Sequence, residues 1–267
     1  MKKYFLTYGD RQFYLSKKHL IELAKKSELF DHCISLGFND LDSSFKKKYE
    51  NILKQKRGGG YWIWKPQIIQ SLINDINEDD VVIYCDAGAS LNFTPTAVKR
   101  FNEYIELLKS SHFGNFRMYC EDGFVEKNYT IKEIFNYFDI TTDSDIANSL
   151  QLQAGHMIFQ KNQHTNEYFQ EFEKILTYDQ NLISDIYNKS NQIDTFVENR
   201  HDQSIFSLLS KKLGSVSISN ETEFKNRPME QYAYPFLSVR RYGHGLKDYL
   251  KFSFNYKNAT KDTLYFE

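Results

Sequence analysis

Short apolar runs alternate along this chain with longer stretches in which apolar residues recur every three or four positions. A short run bounded by glycine or polar residues predicts a buried strand, and a longer periodic stretch predicts an amphipathic helix. The alternation predicts an α/β fold. Strands are expected at residues 4–8, 32–36, 81–85, 116–120, 153–159 and 216–219.

The expected helices lie between these strands. Ser16 is a candidate N-cap for the first helix, and Pro66 suits the first position of another. No linker, repeat or low-complexity block interrupts the pattern, so a single domain is expected. The helical ranges are 17–26, 42–56, 67–76, 95–109, 128–138, 165–187 as one or two helices, and one that opens at 200–204.

The run at 81–85 is almost wholly apolar and ends directly at Asp86. Such a run is typical of a strand buried on both faces. Open α/β sheets bind ligands at the carboxyl ends of their strands, so Asp86 is a candidate binding residue. Ala87 and Gly88 add little side chain and leave room for a ligand near the backbone. The alternative is a plain turn in which Asp86 accepts hydrogen bonds from neighbouring N–H groups.

Composition argues against several classes of protein. Lys and Arg number 34 and Asp and Glu 35, a formal net charge of −1, so no global field favours nucleic acid. Three cysteines without a C-x-x-C pair indicate a reduced, cytoplasmic setting. The sequence contains neither an apolar run long enough for a membrane span nor a signal peptide.

A glycine-rich, aromatic run, R-G-G-G-Y-W-I-W-K-P, occupies residues 57–66. Aromatic clusters of this kind are typical of core packing, although three glycines also suit a loop beside a pocket. Arg57 and Lys65 place positive charge at its two ends. Lys65 also precedes a predicted helix, whose N-terminus favours anions. Either side chain could contact a diphosphate.

Four motifs follow one another in order: D-A-G at 86–88, A-G-H-M-I-F at 154–159, D-Q at 202–203 and H-G-L-K at 244–247. This order resembles the GT-A-fold glycosyltransferases, most closely the retaining group that includes glycogenin and lipopolysaccharide galactosyltransferases. The run at 57–66 is similar to bacterial capsule or lipopolysaccharide glycosyltransferases. The resemblance covers roughly residues 4–247. It implies a Rossmann-type mixed sheet flanked by helices, with residues 1–120 mainly binding nucleotide and residues 121–267 forming mainly the acceptor half and the C-terminal tail.

The resemblance also implies a role for each motif. Asp86 would contact a divalent cation, Mn²⁺ or Mg²⁺, or the ribose, and His244 would be a second metal ligand. Asp202 and Gln203 would lie at the reacting carbon of the sugar as catalytic residues. The other implied substrate contacts are Thr7, Tyr8 and Gly9 for base and ribose, Arg57, Lys65 and Lys247 for the diphosphate, Ala87 and Gly88 beside Asp86, and Ala154, Gly155 and His156 for the sugar or acceptor.

This sequence departs from the family pattern at two places. Gly88 stands where the second Asp of D-x-D is expected, and one carboxylate binds a hard cation loosely unless the diphosphate completes the coordination shell. The spacing from His244 to Lys247 is also shorter than the family's. Two alternatives stay open: Asp202 could cap a helix that begins at Gln203, and Tyr8 could be an ordinary core residue.

The activity implied is transfer of a hexose from a nucleotide-diphosphate sugar, with uridine as the base and with retention of configuration. The acceptor would be a surface glycan or lipid-linked glycan, reached by peripheral association with the inner membrane. Three alternatives remain: an inverting glycosyltransferase, a phosphotransferase or nucleotidyltransferase, and a non-catalytic nucleotide- or glycan-binding protein. A lone Asp86 argues against phosphoryl chemistry, which normally uses clustered carboxylates.

Overall fold

A six-stranded mixed sheet forms the centre of the computed structural model, which describes residues 1–224 and 227–239. The strand order is β2-β1-β3-β6-β5-β7, and β6 runs antiparallel to both of its neighbours. A separate two-stranded sheet pairs β4 with β8. The strands are β1 (Lys3–Tyr8), β2 (His32–Leu36), β3 (Val81–Cys85), β4 (Ser90–Leu91), β5 (Asn115–Met118), β6 (His156–Gln160), β7 (Val216–Ile218) and β8 (Phe236–Leu237). The predicted ligands His244 and Lys247 lie outside the described residues.

Helices cover both faces of the sheet. Within the described ranges none of them is both long and apolar enough to cross a membrane. They are α1 (Tyr14–Ser27), α2 (Ser43–Lys48), α3 (Glu50–Leu53), α4 (Gly58–Tyr61), α5 (Trp64–Asp75), α6 (Pro95–Lys109), α7 (Glu126–Tyr129), α8 (Lys132–Tyr137), α9 (Asp145–Asn148), α10 (Gln163–Tyr178) and α11 (Asp202–Leu213), with 3₁₀ turns at Phe38–Asp40, Gln180–Ile183, Lys189–Asn191 and Glu230–Ala233.

Strand β3 is buried along its whole length, as its apolar run predicts. Val82 and Tyr84 belong to the core that packs against α5, α10 and α11. Val81, Ile83 and Cys85 belong to the opposite core, against α1 and α6. The alternation of side chains along a strand therefore explains why no polar residue interrupts this segment.

Several predicted element boundaries are wrong. The range 42–56 contains two helices, because Tyr49 leaves helical geometry (φ −113°, ψ 25°). The range 128–138 is also split, at an extended Thr130 whose hydroxyl donates to Glu126. Ser16 lies inside α1 and Pro66 is the third residue of α5, still within the first turn, where no backbone N–H is required. The predicted strand at 153–159 begins only at His156.

The glycine-rich run forms a turn of left-handed residues, Gly58 to Trp62, with φ between 54° and 97°. For residues with a side chain this conformation costs roughly 1–2 kcal/mol each, so Tyr61 and Trp62 are strained. Trp64 Nε1 donates to the Gly58 carbonyl at 3.0 Å, and Tyr61 stacks on His201 with ring centroids 5.0 Å apart. These contacts hold the turn closed.

Gly60→Ala is expected to destabilise the fold more than Gly123→Ala. Both glycines have a left-handed φ, 97° and 93°, so each substitution carries a backbone strain of about 1–2 kcal/mol. A Cβ at Gly60 would also lie 2.8 Å from Leu53 Cα and 3.0 Å from the Ile52 carbonyl, whereas one at Gly123 meets nothing within 4 Å. Overpacking of this kind adds about 1–3 kcal/mol. Urea unfolding measures both variants, and equal losses would show that the Gly60 contact is not tight.

Candidate active site

A cleft of about 680 Å³ opens at the edge of the sheet where β1 and β3 end and β6 begins. Among the predicted site residues that the structure describes, Thr7 alone does not line it. Thr7 is fully buried within β1, so its side chain is not available to a ligand. The predicted residues that line the cleft are Tyr8, Gly9, Arg57, Lys65, Asp86, Ala87, Gly88, Ala154, Gly155, His156, Asp202 and Gln203.

Antiparallel pairing of β3 with β6 brings two of the motifs together. Cys85 pairs with His156, so the residue after β3, Asp86, meets the residue before β6, Gly155. The Asp86 N–H donates to the Gly155 carbonyl at 2.9 Å. A Cβ at Gly155 would lie 3.4 Å from Asp86 Oδ2, so a larger side chain there would crowd the carboxylate.

Lys65 joins two carboxylates at the floor of the cleft. Its ammonium lies 2.6 Å from Asp202 Oδ2 and 3.1 Å from Asp86 Oδ1, and it donates to the Ala154 carbonyl at 3.2 Å. Lys65 is the second residue of α5 and Asp202 the first residue of α11, so two helix N-termini meet here. The Lys65 side chain is 2% exposed and that of Asp202 6%, whereas that of Asp86 is 42% exposed.

Burial raises the pKa of Asp202 to about 6, against the opposing effect of the Lys65 charge and with a further increase from Asp86. Burial by itself would lower the pKa of Lys65. The neighbouring carboxylates of Asp202 and Asp86 outweigh it, so the pKa of Lys65 is raised. At neutral pH the floor therefore holds one ammonium between two carboxylates.

The alternative that Asp202 caps the helix is wrong, because His201 is the N-cap residue of α11.

The described residues at Asp86 do not by themselves form a metal centre. Asp86 Oδ1 already accepts from Tyr84 Oη at 2.7 Å and faces the Lys65 ammonium, whose charge opposes a cation. Gly88 offers no ligand, and residues 1–224 and 227–239 contain no group of three His, Cys, Asp or Glu side chains that could hold a metal ion. The expected cation at Asp86 therefore stays a prediction, and His244 lies outside the described residues.

The two predicted diphosphate contacts in the described chain are both engaged with carboxylates. Arg57 lies at the rim, where its guanidinium pairs with Asp185 at 3.3 Å and with Glu198 at 3.0 Å. The Lys65 ammonium pairs with Asp86 and Asp202 at the floor of the cleft. Contact of Arg57 or Lys65 with a diphosphate stays a prediction. In such a contact the positive charge of the side chain would be shared between the diphosphate and its present carboxylate partners.

Tyr8 lines the cleft but stacks on Trp64, with ring centroids 3.8 Å apart and planes at 20°. The side chain is buried in the core beneath β1, which favours the core alternative over a free stacking platform for a base. Burial, with smaller contributions from Asp10 and Asp40, also raises the pKa of Tyr8 above its usual value. Tyr8 is therefore neutral at physiological pH.

Two buried histidines line the cleft. His156 Nδ1 lies 3.4 Å from Gln153 Oε1, and its Nε2 has no hydrogen-bond partner among the described residues. His201 Nε2 lies 3.0 Å from Asp185 Oδ1. Burial lowers the pKa of each to about 4. Both imidazoles are therefore neutral above pH 5.

Some residues at this site had no sequence prediction. Tyr84 could have been found, because a side chain two positions before Asp86 lies on the same face of a strand. His201 directly precedes the D-Q motif, but its left-handed φ of 55° had no sequence signal. Gln151 contacts Gln203 from a separate loop, at 2.8 Å between Gln203 Nε2 and Gln151 Oε1, and nothing in the sequence indicated it.

Comparison with solved structures identifies the fold. A glycosyltransferase involved in the glycosylation of the major capsid of PBCV-1 is similar with a TM-score of 0.51 and 11% identity, over 95% of this chain and 100% of that one. The bifunctional glycosyltransferase WbbM is similar with a TM-score of 0.52 and 13% identity, over 98% of this chain and 50% of that one. No family model and no curated protein matches the sequence. The chain has the fold of these glycosyltransferases, which confirms the GT-A-like α/β architecture.

Proposed function

We propose that this chain is a glycosyltransferase that moves a hexose from a nucleotide-diphosphate sugar, with uridine as the base, to a glycan acceptor. The observation that carries the proposal is the Asp86–Lys65–Asp202 group at the floor of the cleft. It lies at the carboxyl ends of the parallel strands, where open α/β sheets bind ligands. The fold supports the proposal only by analogy, since one fold hosts many activities.

Asp202 is the residue proposed to act on the sugar. Cleavage of the bond to the anomeric carbon builds positive charge on the sugar ring, and a carboxylate held nearby stabilises that charge. The Lys65 ammonium holds the Asp202 carboxylate at 2.6 Å and so fixes its position before the reaction. Preorganised charges of this kind need no rearrangement during the chemical step.

Asp86 is proposed to contact the donor from the more exposed side of the same group. Its Oδ1 is held by Tyr84 and Lys65, which leaves Oδ2 for a ribose hydroxyl or for a cation whose other ligands come from the diphosphate. Retention of configuration and a surface-glycan acceptor at the inner membrane are also proposed, and both rest on the order of the sequence motifs.

Binding of nucleotides tests this proposal. Calorimetric titration with UDP, GDP, uridine and UDP-hexoses, each with Mn²⁺ and with excess EDTA, should show that UDP binds more tightly than uridine and GDP. Comparison of the titrations in Mn²⁺ with those in EDTA also shows whether nucleotide binding depends on a cation. Failure of every nucleotide to bind would overturn the proposed function.

The rate of transfer should rise with pH through about 6. Asp202 has a pKa of about 6, so below that pH it is protonated and no longer supplies negative charge. On the acid side kcat/KM, which reports the pKa values of the free protein, should fall about tenfold per pH unit. The two cleft histidines, with pKa values of about 4, do not produce such a limb. Measurement of kcat/KM from about pH 4.5 to 8 checks the expectation. A flat profile across pH 6 would remove Asp202 from the chemical step.

A further inference from the structure

Two arginines share one carboxylate at the rim of the cleft. Arg57 Nη2 lies 3.0 Å from Glu198 Oε2, and Arg200 Nε lies 3.3 Å from Glu198 Oε1. All three residues line the cleft. Their side chains are between 29% and 46% exposed, so a ligand in the cleft can reach them. We call Arg57, Arg200 and Glu198 the rim triplet.

The Arg200 guanidinium is held by aromatic rings more than by charge. Its Cζ lies 4.5 Å from the centroid of the Phe124 ring and 5.0 Å from that of the Tyr129 ring. Its only ion pair in the described part of the chain uses Nε, and that contact with Glu198 lacks hydrogen-bond geometry. The terminal nitrogens Nη1 and Nη2 are therefore available to an anion, on a side chain that stacking has already ordered.

The Arg57 guanidinium is held by two half-exposed ion pairs. Besides Glu198 it contacts Asp185 at 3.3 Å, and Asp185 Oδ1 also lies 3.0 Å from His201 Nε2. Ion pairs at this level of exposure stabilise a protein little, because water solvates both partners and competes with the contact. An anionic ligand in the cleft can therefore replace Glu198 beside Arg57 at small cost.

The Glu198 carboxylate lies where an anionic ligand of the two arginines would bind. A guanidinium group donates in a planar fork that matches the oxygens of a carboxylate and those of a phosphate alike. A diphosphate carries more negative charge than one carboxylate and offers more acceptor oxygens. It is thus suited to bind both arginines in place of Glu198.

We propose that Arg57 and Arg200 bind the diphosphate of the donor, and that Glu198 occupies their site until the donor displaces it. The inference rests on the proposed function, because it takes the anion to be the diphosphate of a nucleotide sugar. Negative charge builds on that diphosphate as its bond to the sugar breaks, and two positive charges beside it stabilise the leaving group. Glu198 competes with the donor, so its removal should strengthen binding.

Glu198→Gln tests the competition, since a damaged fold weakens binding and does not strengthen it. Glutamine keeps the shape of the side chain but no longer attracts the two guanidinium groups by charge. The dissociation constant for UDP should fall about two- to fivefold, the range that a half-exposed ion pair supports, and that for uridine should change by less than about 1.5-fold. Glu121→Gln removes another carboxylate of the cleft, one that pairs with neither arginine. It is the matched control for the general effect of one negative charge and should change UDP binding less.

Arg200→Met tests the second arginine. Methionine keeps an unbranched side chain against the two rings and removes the charge. The dissociation constant for UDP should rise about 10–100-fold, the range for a charge-assisted hydrogen bond, with that for uridine within about twofold. Arg200→Lys keeps the charge without the fork and should bind UDP with intermediate affinity, which provides a second variant if Arg200→Met does not fold. Glu198→Gln should strengthen UDP binding less in the Arg200→Met background, because only Arg57 is then left to release.

Calorimetric titration with UDP and uridine measures every variant, in whichever of Mn²⁺ and EDTA wild type binds UDP more tightly. If wild type binds UDP but Glu198→Gln binds it no more tightly than Glu121→Gln, the competition by Glu198 is wrong. If Arg200→Met and Arg200→Lys both bind UDP as tightly as wild type, the rim triplet is not a diphosphate site. Failure of wild type to bind any nucleotide overturns the proposed function itself, and this inference with it.

Discussion

Asp202→Asn is expected to lower kcat by about 10²–10³-fold, the loss found when one preorganised stabilising group is removed from an active site. Asparagine keeps the shape of the side chain but removes the negative charge that Lys65 holds in place. Nucleotide binding should change little, because the charge acts mainly on the sugar ring. Steady-state kinetics and calorimetric titration with UDP measure the two quantities separately.

The same variant should lose less stability than Lys65→Met. Burial raises the pKa of Asp202 to about 6, above its unfolded value of 3.8, so ionisation of this group at neutral pH costs folding free energy. A neutral asparagine does not have that cost, although the buried Lys65 ammonium then keeps only Asp86 of its two carboxylate partners. Asp75→Asn, at the exposed end of α5, is the matched control and should retain full kcat. A loss of stability as large as that of Lys65→Met would show that the Asp202 charge is structural.

Lys65→Met is expected to abolish activity and to destabilise the fold by about 3–5 kcal/mol at neutral pH, because it leaves the buried Asp202 carboxylate without its partner. Removal of the ammonium raises the pKa of Asp202 further above its unfolded value. The stability of the variant is then retained at low pH and lost as pH rises through that pKa. Urea unfolding at about pH 5 and pH 8 should therefore show the larger deficit at pH 8.

The double variant Lys65→Met with Asp202→Asn separates charge from packing. It removes the unpaired carboxylate as well as the ammonium, so most of the lost stability should return while activity stays absent. If the double variant is as unstable as Lys65→Met, the loss comes from packing of the lysine stem and not from the Asp202 charge.

The parts of this molecule that local sequence patterns determine could be predicted. The apolar run that ends at Asp86 predicted β3 with its bounds, since a strand buried on both faces excludes polar residues. The helix expected at 95–109 is likewise found as α6, because the Thr94 side chain caps its first turn and a proline suits that turn. The site residues came instead from the resemblance to the glycosyltransferases, which implied a substrate contact for each motif.

The contacts between those loops could not be predicted, because they depend on residues far apart in the chain. Lys65 was expected to face a diphosphate, yet in the structure its charge is shared between Asp86 and Asp202. The left-handed conformation of Tyr61 and Trp62 has no sequence signal either, since side chains disfavour it and only tertiary contacts hold it. The contact of the Gln203 amide with Gln151 likewise joins two separate loops.

Release of UDP from UDP-hexoses tests the central claim most directly. Wild type and Asp75→Asn, incubated with a panel of UDP-hexoses in Mn²⁺ and in EDTA, should release UDP at equal rates with at least one donor. Asp202→Asn should release it about 10²–10³-fold more slowly. The absence of release by wild type with every donor, or an unchanged rate in Asp202→Asn, would contradict the assignment of this cleft to sugar transfer.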